Sequence, residues 1–141
     1  MAEKPSVFDW VGARQACSAE QVLERLAALA ERDVATRNKF IGKDGYDVSR
    51  HRGDVEQLIG FRVEYRFRQK ATRREDTVII RRHRDELLVQ DGVGDTTSTA
   101  TVVMVDDPIE PCRINEGGEL LYDWQFLRRH LETLLFAEQE D

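Results

Sequence analysis

The chain has 141 residues, the length of one ordinary domain. Hydrophobic residues make up 40% and charged residues 34%, enough for a core that needs no metal or disulfide to fold, under a heavily charged surface. The net charge of -6 weighs against whole-surface attraction to nucleic acid or anionic lipid, both polyanions.

No apolar run approaches the ~20 residues of a membrane span. The opening Met1-Ala2-Glu3-Lys4-Pro5 has no basic-then-apolar leader pattern, so the expected location is cytoplasmic, with no membrane partner. Cys17 and Cys112 stand far apart, outside any C-x-x-C or Cys/His cluster. They read as reduced thiols acting as small buried hydrophobes. Pro and Gly are sparse and no repeat or linker is visible, so residues 1–141 read as a single domain.

Residues 6–16 predict a short helix, with Ser6 as cap, Asp9 near the positive end of its dipole, and Phe8, Trp10 and Val11 as its apolar side. Ser18 followed by Gln21 is a capping box for a longer helix, and Cys17 with Val22 fits a hydrophobic staple. Val22, Leu26, Leu29, Ala30 and Val34 recur at helical spacing, with Glu24, Arg25, Glu31 and Arg32 outside the stripe. The helix should fade between Asn38 and Gly42.

Residues 42–56 look irregular. The period then changes to two: Phe61, Val63, Tyr65 and Phe67 alternate with Arg62, Glu64, Arg66 and Arg68, the mark of a half-buried strand. Further strands are expected at Thr77–His83, Glu86–Gln90 and Thr96–Val105. Two short ones, Cys112–Asn115 and Glu119–Tyr122, should flank Gly117-Gly118. Asp123 should cap a last helix, with Trp124, Leu127, Leu131, Leu134 and Leu135 on one face. The expected fold is α+β: an antiparallel meander sheet of about five or six strands packed on two amphipathic helices, one N-terminal and one C-terminal.

His51, His83 and His130 have no partner at metal-ligand spacing, and no H-E-x-x-H, G-x-S-x-G or P-loop pattern occurs. No catalytic residue, metal or cofactor is assigned. Charge patterning says more. Residues 62–84 hold nine Lys/Arg against three Asp/Glu, and residues 85–127 hold one Arg against ten Asp/Glu. Cross-strand salt pairing would account for this blandly. The sharper reading is a basic face. Even spacing sets Arg62, Arg66 and Arg68 on one side of their strand, with Arg73 and Arg74 in the next turn and Arg81 on the next strand. Phe61, Tyr65 and Phe67 take the opposite parity, which removes the stacking aromatics that single-stranded nucleic acid needs.

The favoured expectation is a non-catalytic binding or adaptor domain. Its basic sheet face would hold an acidic protein surface or a second copy of the chain. The rival is a small-molecule-binding or enzymatic domain with a cavity for a small apolar ligand between sheet and helix, lined by Phe61, Arg82, Met104, Tyr122 and Trp124. Nucleic-acid binding comes third.

Overall fold

A computed structural model describes residues 8–42, 45–53, 62–69, 77–91 and 95–136; of residues 49–53 and 62–69 it describes the backbone only. The first helix, α1 (Trp10–Ala16), is capped by Asp9, whose carboxylate accepts from the Gly12 amide at 3.0 Å. The expected cap Ser6 lies outside the described residues. α1 buries none of its residues: Trp10 and Val11 are 62% and 55% exposed, against the expectation that they pack inward.

Helix α2 (Ala19–Ile41) starts as its sequence requires, with the Ser18 hydroxyl accepting from the Gln21 amide at 3.1 Å. It stops at Gly42, whose φ of 73° is left-handed and strains any residue with a Cβ. Val22, Leu26, Ala30 and Val34 are buried and Leu29 is half-buried, as the stripe demands; Leu23 and Ala27 widen it.

Strand β1 (Tyr46–Gly53) follows, where irregular chain was expected. It pairs with β2 (Arg62–Gln69) along its whole length. Its start is held by the end of α2. The Asn38 amide donates to the Tyr46 carbonyl at 3.0 Å, and its oxygen accepts from the Tyr46 amide at 3.0 Å. Strands β3 (Thr77–His83), β4 (Glu86–Asp91), β5 (Thr96–Met104), β6 (Cys112–Glu116) and β7 (Glu119–Leu121) complete the sheet. The seven strands lie in chain order and every neighbouring pair is antiparallel, so β2–β6 form the middle five and β1 and β7 the edges. Gly117 and Gly118 both take positive φ, 60° and 86°, in the two-residue turn that closes β6 on β7.

Helix α3 (Asp123–Leu135) returns across the same face of the sheet as α2. Its cap is Tyr122 rather than Asp123: the Gln125 side chain reaches back and accepts from the Tyr122 amide at 2.9 Å. Leu127, Leu131, Leu134 and Leu135 are buried as expected, joined by Phe126. Trp124 is 53% exposed. It falls on the stripe by angle, but it sits in the first turn, beyond the packed middle of the helix.

The core lies between this helical layer and the inner rows of the sheet. Register brings Ile80 beside Val89, and Leu87 beside Ala100. These residues join Ile114, Leu121 and the two stripes in one hydrophobic cluster. Fully burying a leucine contributes roughly 1.5–3 kcal/mol, so Leu26, Leu127 and Leu131 carry a large share of the stability. The opposite face is not wholly wet. Ile79, Leu88 and Gln90 are buried there, although they alternate with core residues on β3 and β4.

The cysteines overturn the reduced-thiol expectation. Cys17 and Cys112 form a disulfide, with Cα atoms 5.1 Å apart and a sequence separation of 95. It ties the joint between α1 and α2 to the start of β6. None of the described helices is long and apolar enough to cross a membrane.

Candidate protein-interaction surface

Antiparallel pairing decides which residues share a side of the sheet. Val78 and Ile80 pack on the core side of β3. Their β2 partners by register are Phe67 and Tyr65, whereas Arg66 faces Ile79, Arg68 faces Thr77 and Glu64 faces Arg81. Backbone register therefore puts Arg66 and Arg68 in the rows that do not belong to the core, and Arg62 shares their parity on the strand. The side chains of these three arginines lie outside the described residues, as do Arg73 and Arg74 altogether. Arg81 is described and half-buried.

The residues expected to line an internal cavity are not gathered between sheet and helices. Phe61 lies outside the described residues. Arg82 is half-buried opposite Leu87 on the inner row. Met104 is exposed at the end of β5. Tyr122 and Trp124 instead line a surface pocket of about 620 Å³ with Arg25, Leu29 and Ile109. Between the inner rows and the helices stand residues with almost no exposure, among them Leu26, Ile80, Leu87, Ile114 and Phe126.

The acidic stretch finds several of its partners outside the basic strands. Asp107 pairs with Arg113 at 3.1 Å, and Arg25 reaches Asp123 at 3.4 Å. Two backbone amides, those of Ile109 and Glu110, also donate to Asp107 and with Arg113 hold its carboxyl below the usual value. Arg113 stacks on the Tyr122 ring at 4.1 Å. Glu116 is the most enclosed carboxylate among the described residues. It accepts from Ser98 at 2.5 Å, from His130 Nε2 at 2.6 Å and from Arg129 at 2.9 Å, and Arg129 also reaches Glu119 at 2.6 Å. Burial pushes the Glu116 carboxyl up, but the three hydrogen bonds and the charge of His130 outweigh it and hold it below the ordinary value. Serine, histidine and a carboxylate meet here in the wrong order for nucleophilic catalysis. The Ser98 hydroxyl donates to Glu116, whereas activation requires it to donate to the histidine. The cluster clamps α3 to β6.

Sequence reading missed a groove between the C-terminal half of α2 and the length of α3. Its volume is about 760 Å³, with Leu127, Leu131 and Leu135 at its base and Phe40, Trp124 and Phe136 around it. Phe40 and Phe136 are 82% and 64% exposed. The available signal was Phe40 itself, a large aromatic off the α2 stripe. Asp33 also lines the groove. It has no hydrogen bond or ion pair among the described residues, and burial pushes its carboxyl up against the smaller opposing effect of Arg32. No protein-family model, curated protein or solved structure matches the chain.

Proposed function

We propose that this protein is a non-catalytic binding domain that receives an acidic protein surface on the outer face of β2 and β3. One observation carries the reading: the register that sets Arg66 and Arg68 in the rows of Thr77 and Ile79, away from the core rows of Val78 and Ile80. Arg62 shares the parity of Arg66 and Arg68, and Arg81 lies on β3 opposite Glu64, while Arg73 and Arg74 add to the positive charge of residues 62–84 in sequence. The ion pairs of Asp107, Glu116, Glu119 and Asp123 with Arg25, Arg113 and Arg129 support it further, because these acidic groups have cations of their own. Densely packed residues between sheet and helices favour a binding surface over an internal ligand cavity.

A disulfide is the habit of proteins that fold in oxidising surroundings. It weighs against the cytoplasmic location expected from the sequence.

The test is titration of a fluorescein-labelled oligoglutamate peptide, followed by anisotropy, with wild type and with the triple variant Arg62→Glu, Arg66→Glu, Arg68→Glu. Wild type should bind, more weakly as salt is added. The variant should stay folded, since register sets these positions in rows outside the core cluster, and should not bind. Equal binding by both would remove this function.

A further inference from the structure

We infer that two copies of the chain associate, with α1 of each docked in the α2–α3 groove of the other and Arg14 of one copy meeting Asp33 of its partner. Two surfaces in this chain are each incomplete. The groove is largely apolar, with Arg37, Arg128 and Glu132 also on its lining; it bears the exposed rings of Phe40, Trp124 and Phe136, and holds Asp33, whose carboxylate has no hydrogen bond or ion pair among the described residues. Helix α1 is the complementary shape: Trp10 and Val11 project from it, and Arg14 lies one turn on with no hydrogen bond or ion pair among the described residues. Five of the nine large hydrophobics exposed among the described residues belong to these two patches, a concentration that a scattered surface would not show.

Arg14 and Asp33 cannot meet within one copy. Helix α2 rises about 1.5 Å per residue, so Asp33 and Phe40 lie roughly 24–35 Å along it from Cys17. The disulfide from Cys17 to Cys112 fixes α1 at the far end. A twofold axis across α2 removes the difficulty, because antiparallel α2 helices bring the start of one beside the end of the other. That arrangement is isologous and closes on itself. The pair of Arg14 with Asp33 supplies the charge complementarity of this contact, against a net charge of -6 that opposes nonspecific association. The groove and α1 share no residue with β2 or β3, so this association stands apart from binding on the sheet face.

Sedimentation equilibrium of the oxidised full chain tests it, with Arg14→Glu, Asp33→Arg, the double variant carrying both, and Trp10→Ala. Wild type should be a dimer at micromolar concentration. Each single charge reversal should weaken the dimer at least about tenfold, the double variant should recover most of the loss, and Trp10→Ala should weaken it while the folded circular dichroism spectrum stays unchanged. All the altered positions are outside the core cluster, so circular dichroism should find every variant folded. A monomeric wild type, a dimer indifferent to the single variants, or a double variant no tighter than the singles would each overturn the inference.

Discussion

Replacing Cys17 and Cys112 together by Ala should lower the unfolding free energy by about 4–5 kcal/mol. A cross-link removes chain entropy from the unfolded state by about 2.1 + 1.5R ln n cal/mol/K. For a sequence separation of 95 this amounts to about 4.7 kcal/mol at 25 °C. Unfolding 141 residues carries an entropy of roughly 0.3 kcal/mol/K near the transition, so the melting temperature should fall by about 15 °C. Urea unfolding, followed by circular dichroism and extrapolated linearly, measures the first quantity directly. The slope should be steeper for the variant, whose unfolded chain is less restrained and exposes more surface. Wild type treated with a reductant should reproduce the variant. A difference below about 0.5 kcal/mol, or two thiols labelled in denatured, unreduced protein, would refute the reasoning.

Leu26→Ala should cost about 2–5 kcal/mol in the same urea experiment, because Leu26 is 1% exposed within the core cluster. Glu116→Ala should cost about 3–5 kcal/mol, read from urea midpoints at pH 7, because it leaves His130 and part of Arg129 unpaired beside the core. The pH dependence has a definite sign. The folded Glu116 carboxyl lies below its ordinary value of 4.5, so its stabilisation is complete above that value and is lost as pH falls through the folded one. A stability profile from pH 7 to pH 2 should therefore fall more steeply for wild type than for Glu116→Gln; parallel profiles would contradict the assignment.

The α+β class, the two amphipathic helices and six of the strands were legible because each rests on local periodicity. The stripe from Val22 to Val34 and the alternation from Phe61 to Arg68 need no knowledge of a partner. Strand β1 was not legible. Its Arg50-His51-Arg52-Gly53 run lacks the alternation, and its extended form rests on pairing with β2 and on the clasp between Asn38 and Tyr46. The disulfide was hidden for a related reason. Only the packing of α2 against the sheet brings Cys17 to Cys112, and no spacing rule connects residues 95 positions apart. Trp124 was set on the buried stripe because helical angle says which side a residue faces, not where along the helix its neighbours end. The groove was invisible because it belongs to two helices at once, and the buried Ile79, Leu88 and Gln90 show that alternation alone does not make a face wet.

The most direct test of the binding function is residue-resolved: amide chemical shifts of the oxidised protein recorded while unlabelled oligoglutamate is added. The account predicts perturbation concentrated on β2 and β3, at Arg66, Arg68, Thr77 and Arg81, with α2 and α3 unmoved. Perturbation confined to the α2–α3 groove, or none at saturating peptide, would contradict it.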